Sequence, residues 1–370
     1  MGRSLNDALA EFSISEFGEC GKDMGIWRDR YIDSLRSPSQ ATIRSYKNVL
    51  NPFVAYCKKY QDQMPIENIG AAFINNYIVE YIEALADKDL TKGTIDIKTF
   101  KNICDANKGD LGRNSINISI PYPYEKSVSH RLTVIKQLLR YITNNNIEQV
   151  DYVRTFNMMA SVRVQKRKTD YYDNNEMMIL IELAHAWPEI FQNYTSEKGE
   201  LAPFRAWRNS FMVLLYALTG LRSTEALMLQ FEDFEFLQLE QGEYYGIRIQ
   251  SGKGNKERQV IAPVQPLRQH LEKLHSFLGE SGYIAVQSPR THKPISYTAL
   301  YLGVKPLLEA AGINKSGFHN FRRGYATQEI AKGRSITKVA LQLGHSSVST
   351  TYDNYVKNNP FLLAQKDKDI

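Results

Sequence analysis

Near the middle of the chain runs Arg163-Val164-Gln165-Lys166-Arg167-Lys168-Thr169-Asp170, a polar and strongly basic stretch between two long segments patterned for amphipathic helices. That run constrains the fold more than any other feature. It belongs on the surface, so the apolar stripes on either side have to close separate cores, and the expectation is two domains joined by a basic linker over 163–173. With 370 residues, 43% hydrophobic and 23% charged, the chain has the length and balance for two such cores. The net charge of +6 is modest for that length, so binding to a polyanion has to be argued from where cations cluster. In the linker those cations are Lys166, Arg167 and Lys168, which suit a DNA backbone and suit a solvated turn as well.

Composition closes off other classes. Cys20, Cys57 and Cys104 are odd in number and widely separated, which argues against a disulfide framework and a structural zinc site and fits a reducing cytoplasm. No apolar run is long enough to cross a bilayer, and the N-terminus lacks the apolar segment of an export signal. The expectation is a soluble, cytoplasmic protein with no membrane partner.

Ahead of the linker, Ile43, Tyr46, Leu50, Phe53, Val54 and Cys57 recur at helical spacing from about Thr42, with Arg44, Lys47, Lys58 and Lys59 on other faces. From Ser129 to Ile142 a second stripe of Leu132, Ile135, Leu138, Leu139 and Ile142 leaves His130, Arg131, Lys136 and Arg140 elsewhere. Together they predict a small helical DNA-binding domain over 24–162, preceded by an extension over 1–23, with Arg44, Lys47 and Arg131 as candidate DNA contacts. From about Leu90 to Lys126, Lys, Asn, Asp and Gly dominate and Pro121-Tyr122-Pro123 follows, a composition of loops and interrupted helices.

Past the linker, a helical pattern restarts near Asn174, and a second domain is expected over 174–357. Trp207, Phe211, Leu214, Leu215 and Leu218 make a strong stripe that stops at Thr219-Gly220, which puts Arg222 at a helix start. Tyr244 to Ile249 and Gln259-Val260-Ile261 have strand character around the turn residues Ser251-Gly252-Lys253-Gly254-Asn255, predicting a hairpin with Lys253 at its tip. Beyond Pro266 the pattern is helical again, with Gly312, Gly333 and Gly344 as stops. The fold class expected is mainly α in two domains, the second a mixed α/β domain that is mostly helical with a small antiparallel sheet. Residues 358–370 form a tail in which Pro360-Phe361-Leu362-Leu363 precedes charges, suited to docking on a neighbouring subunit or to a free end.

Five stretches of the second half carry chemistry: Thr219-Gly220-Leu221-Arg222-Ser223-Thr224-Glu225, Gly252-Lys253-Gly254-Asn255-Lys256-Glu257-Arg258, His319-Asn320-Phe321-Arg322, Leu343-Gly344-His345 and Thr350-Thr351-Tyr352-Asp353-Asn354-Tyr355. Attack on a phosphodiester builds charge on its non-bridging oxygens, and rigid multidentate cations such as Arg222 and Arg322 answer that charge. His319 and Arg322, three apart, share a helix face and can reach one phosphate. Lys253, on a flexible tip, suits protonation of a leaving oxygen, with Lys256 as its competitor. A tyrosine hydroxyl, with an ordinary pKa of about 10, needs a base or nearby positive charge to attack, and His319 is placed to accept the proton. His345 suits a hydrogen bond to the phosphate. Taken singly, each is a common surface or core residue; the order of the set carries the argument. No Gly-x-x-x-x-Gly-Lys-Ser/Thr pattern accompanies Gly252-Lys253-Gly254, against a nucleotide loop.

In that order the five stretches resemble the signature of the tyrosine recombinases, the phage-integrase and Xer-like family, over roughly the last half of the chain. The resemblance implies Arg222, Lys253, His319, Arg322, His345 and Tyr355 as catalytic residues, with Glu225 at the family's acidic position as a supporting orienter. It favours Lys253 over Lys256, as the first lysine of the hairpin motif. It favours Tyr355 over Tyr352, which follow His345 by ten and seven residues, because the family places its nucleophile roughly nine or ten residues after this histidine. It further implies a helical core-binding (SAM-like) domain and a catalytic domain clamping double-stranded DNA at specific recombination sites. Strands are cut and rejoined through a 3′-phosphotyrosine link, with no cofactor and no metal. A homotetramer forms on synapsed DNA, with room for accessory DNA-bending or directionality proteins, and integration or excision of a mobile element is the expected task. Relaxation of one duplex in the manner of a type IB topoisomerase and non-catalytic DNA binding by a recombinase-derived regulator stay open as alternatives.

Overall fold

In the computed structural model, which describes residues 23–60, 69–108, 124–145, 152, 155, 170–194, 199–250, 257–315 and 317–356, the apolar stripes lie on helices. The chain divides into two units, Met1–Lys166 and Arg167–Ile370. Among the described residues no helix is long and apolar enough to cross a membrane. The extension before Asp23, the linker cations Lys166, Arg167 and Lys168, and the tail 358–370 lie outside the described residues.

The N-terminal unit is helical: α1 (Met24–Ser34), α2 (Gln40–Lys59), α3 (Ala71–Thr91), α4 (Ile97–Lys108) and α5 (Glu125–Asn145). Asp23 and Ser39 start α1 and α2 by accepting the Gly25 and Thr42 backbone N–H groups, which a helix otherwise leaves unbonded. The stripe on α2 buries Leu50, Phe53 and Val54, and that on α5 buries Ile135, Leu138 and Leu139, against Trp27 of α1 and Ile74, Ile78 and Ile82 of α3. Helices α1 and α3 add to the stripes read from the sequence. The stretch 90–126, expected to be loops and interrupted helices, holds α4, with Ile103 buried, and its residues 109–123 lie outside the described set.

Arg131, expected among the DNA contacts, is corrected by its burial. It is 8% exposed on α5, donates from Nη1 to the Val49 carbonyl and the Tyr77 hydroxyl, and stacks its guanidinium 3.7 Å from the centre of the Tyr81 ring. A cation taken out of water has to be hydrogen-bonded or paired, and this one is satisfied by its own core. Arg44 and Lys47, by contrast, are exposed on α2.

The C-terminal unit is built around α7 (Ala202–Thr219), on which α6 (Asn174–Tyr194), α9 (Gln265–Leu278), α10 (Tyr297–Ala310) and α11 (His319–Ala331) pack. From Phe211 to Tyr216 every residue of α7 is fully buried, the signature of a helix that is apolar all round and therefore central. Between α8 (Ser223–Leu227) and α9 lies an antiparallel sheet of β1 (Phe234–Leu239), β2 (Gly242–Ile249) and β3 (Arg258–Pro263), in that order. The β2–β3 ladder pairs Ile249 with Arg258, so 250–257 make the connection that carries Lys253, itself outside the described residues. β1 is an addition to the expected hairpin: an edge strand whose Phe236 is half exposed. After α12 (Ile336–Leu343) come α13 (Val348–Thr351) and a π-helical turn, Tyr352–Val356.

Candidate active site

Two glycine turns deliver the site. Helix α7 ends at Gly220, whose φ of +64° favours glycine and whose α-hydrogen faces packed side chains: a Cβ there would meet Tyr325 at 2.7 Å and Leu343 at 2.9 Å. Two residues later Arg222 caps α8, and the Glu225 carboxylate reaches back to accept its backbone N–H at 3.0 Å. Helix α12 ends in the same way at Gly344, with φ +68°, where a Cβ would sit 2.6 Å from the Arg258 guanidinium carbon. His345 follows at once.

The carbonyls freed by those turns hold the arginines. Arg322, one turn into α11 and 2% exposed, donates to the Gly220 carbonyl at 2.8 Å and to the Leu343 carbonyl at 2.7 Å. Arg222 donates to the Gly344 carbonyl at 3.0 Å and to Glu225 Oε1 at 2.8 Å. Glu225 also takes a two-pronged bond from Arg258, at 3.0 and 2.8 Å. Burial alone would raise the Glu225 carboxyl; the hydrogen bonds from Arg258 and from the backbone and side chain of Arg222 outweigh it and hold the group below its ordinary range. Helix α8 is five residues long, so its dipole adds little, and the guanidinium of Arg222 is placed by Glu225 and Gly344 instead.

His345 is half-buried. Its Nδ1 lies 2.7 Å from the Thr351 hydroxyl, and its ring runs nearly parallel to that of Tyr355, 6.0 Å away at 10°. Tyr355 itself is 8% exposed, on the π-helical turn, and packs with Tyr325, Val339 and Leu343; Tyr352 on the same turn is half-buried. Burial, then the charges of Arg322, Arg222 and Arg258, push the His345 imidazole down to about 4. His319, at the start of α11, keeps much of its surface open, yet desolvation of its ring followed by Arg323, Arg322 and Arg222 lowers it as well. Burial and Arg222 bring Arg322 down to about 10, with Tyr355 acting in the opposite sense, so the guanidinium stays charged at neutral pH. Three guanidiniums around one carboxylate, beside two neutral imidazoles, leave an excess of positive charge next to a tyrosine.

The fold therefore brings Arg222, Glu225, His319, Arg322, His345 and Tyr355 into one neighbourhood, and Lys253 stands on the β2–β3 connection outside the described residues. Two members of the cluster went unweighed in the sequence. Arg258 closes the hairpin motif and was legible as a cation opening a core-facing strand; Thr351, a hydroxyl residue six after His345, gives no signal of its own. Among the described residues no three His, Cys, Asp or Glu side chains are grouped to hold a metal ion.

The profile of the Phage integrase family matches residues 185–360, which span every element of this cluster. A tyrosine recombinase of Thermosipho africanus is 23% identical over 327 residues, covering 87% of this chain and 90% of that protein. Tyrosine recombinase XerA of Pyrococcus furiosus is 33% identical over 154 residues, covering 41% and 51%. Among solved structures, XerH site-specific recombinase in a post-cleavage complex with palindromic difH substrate superposes with a TM-score of 0.63 at 19% identity, over 93% of this chain and 84% of that one. A lambda integrase tetramer bound to a Holliday junction gives 0.54 at 15%, over 97% and 90%. At such identities the structural likeness speaks for the fold, which is the mostly helical, two-domain one with a small antiparallel sheet. The family profile and the curated relatives support the tyrosine recombinase family for this chain, and with it a tyrosine-type site-specific recombinase, on a fold of the same kind.

Proposed function

We infer that this recombinase binds double-stranded DNA at specific sites and cuts and rejoins its strands through Tyr355. The observation that carries the reading is the surplus of guanidinium charge gathered at a buried tyrosine that lies along His345. Arg222 and Arg322 would bind the non-bridging oxygens of one phosphate, where their charge counts most as the transition state forms. Glu225 and Arg258 orient Arg222. His319, neutral at physiological pH, accepts the Tyr355 phenolic proton as the oxygen attacks phosphorus; the bond to the 5′ oxygen breaks, and Lys253 donates the proton that oxygen needs. The product is a 3′-phosphotyrosyl link and a free 5′ hydroxyl. A 5′ hydroxyl from a partner duplex reverses the step, so the energy of the broken bond is kept in the link and no nucleotide has to be hydrolysed.

Exchange between two duplexes requires two sites with two subunits each, hence a homotetramer on synapsed DNA; the lambda integrase tetramer on a Holliday junction supports this for a protein of the same fold. Integration or excision of a mobile element is the task we assign. Incubating the protein with nicked suicide duplexes built on the sequence it selects from a random pool tests the chemistry. A protein–DNA adduct that survives denaturation is expected, and Tyr355→Phe is expected to abolish it while Tyr352→Phe leaves it. An adduct that persists in Tyr355→Phe assigns the attack elsewhere.

A further inference from the structure

His345 has a single ring proton to place at neutral pH, since burial and the arginines around it hold its pKa near about 4. A neutral imidazole carries N–H on one nitrogen and a lone pair on the other, and only a nitrogen bearing hydrogen can donate to a phosphate oxygen. Which nitrogen that is depends on the partner of Nδ1, the Thr351 hydroxyl 2.7 Å away. Thr351 is 0% exposed, the last residue of α13, and this contact is the hydrogen bond its side chain makes among the described residues.

Two arrangements fit the distance, and burial separates them. If Nδ1–H donated to the hydroxyl, the hydroxyl hydrogen would be left in a closed site with no acceptor among the described residues, an unfavourable arrangement for a buried donor. If the hydroxyl donates to the Nδ1 lone pair, both groups are satisfied and the ring proton has to sit on Nε2. We propose that Thr351 is a positioning residue whose hydroxyl donates to His345 Nδ1 and thereby fixes the tautomer that presents Nε2–H to the scissile phosphate. The same bond ties His345 to the start of the turn that holds Tyr355, so the phosphate donor and the nucleophile are set by one contact. The catalytic consequence rests on the reading of His345 given above; the tautomer does not.

Nitrogen NMR of protein labelled with 15N-histidine, at pH 7 and without DNA, tests the tautomer directly, with the His345 signals identified by their loss in His345→Ala. Wild type is expected as the Nε2–H form, and Thr351→Val, close in shape but without the hydroxyl, is expected to lose that preference. In single-turnover cleavage of the nicked duplex, Thr351→Val slows adduct formation about tenfold with duplex affinity unchanged, and Thr351→Ser restores most of the rate. In the His345→Ala background Thr351→Val slows it no further. An Nδ1–H form in wild type, a serine variant as slow as the valine variant, or equal slowing with and without His345 overturns the proposal. The wild-type spectrum needs no variant, so a misfolded Thr351→Val leaves the test standing. Failure of the functional reading looks different: wild type would trap no adduct, or Tyr355→Phe would keep it, whatever the spectrum shows.

Discussion

Arg131 in the N-terminal unit and Arg322 in the C-terminal unit are both buried on helices, and their surroundings dispose of a guanidinium in opposite ways. Arg131 is enclosed by a carbonyl, a phenol and an aromatic face, all neutral and all accepting. Arg322 has its two carbonyls too, but burial and then the charges of Arg222 and, more weakly, Arg258 lower its proton affinity, against Tyr355 and Glu225, which raise it. The first is a finished piece of core. The second is opposed by its own burial and then by the charge of Arg222, a penalty that a phosphate bound as proposed above would offset. Burial of a cation is thus no guide to its role; the sign of its neighbours is.

The contrast is broken most directly by matched substitutions. Arg322→Met is expected to lower adduct formation about 10³-fold per folded molecule, whereas Arg131→Met leaves that rate unchanged; equal losses in the two would erase the distinction. In urea unfolding, Arg131→Met should cost about 1–3 kcal/mol, because the Val49 carbonyl and Tyr77 hydroxyl lose a buried donor. Glu225→Gln, which removes the charge that joins Arg222 to Arg258, is expected to slow cleavage about tenfold, and its stability effect should be non-additive with Arg258→Met by about 1–3 kcal/mol.

A smaller effect follows from His345, which titrates at about 4 in the fold against an ordinary value of 6.5. Between those values the unfolded chain binds the extra proton and the folded chain does not, so this group removes stability as pH falls from 6.5 toward 4 and has no effect above 6.5. Unfolding midpoints at pH 7 and pH 5 should therefore differ less in His345→Gln than in wild type. Smallest of all, exposed Lys47→Ala should weaken DNA binding slightly and reduce the slope of log affinity against log salt by about one, whereas Arg131→Met leaves that slope alone.

Much of the second unit was legible because its signals are local. Gly220, Gly333 and Gly344 each take positive φ beside the end of a helix, and the turn residues between Ile249 and Arg258 do join two paired strands. Less of the first was. Helix α1 owes its place to Trp27 and Tyr31 meeting Tyr141 and Tyr46 from distant segments, a tertiary contact that no window of sequence contains. Helix α4 is polar along most of its length and, among its described side chains, buries only Ile103, so its composition points to loop. Arg131 precedes Ile135, Leu138 and Ile142 on α5 by four, seven and eleven residues, so its spacing sets it on the apolar stripe, and only its charge argues for an outward place; Tyr77 and Tyr81 of α3 supply the partners that let it turn inward. Within the candidate site, motif order picked out residues that the fold brings near one another, but the bonds among them depend on carbonyls, and a carbonyl has no letter in a sequence.

The acceptors at Gly220, Leu343 and Gly344 have a consequence for how such a site drifts over time. Substitution cannot remove a main-chain oxygen, so the two arginines keep their anchors whatever side chains surround them, provided two helices still end in left-handed turns and the arginines remain. Relatives 22–23% identical to this chain differ from it at most positions, and an anchor made of main-chain oxygen is the kind that such divergence does not by itself remove. Erosion should instead begin at Gly220 and Gly344, where a single added methyl group collides with Tyr325 and Leu343 or with Arg258.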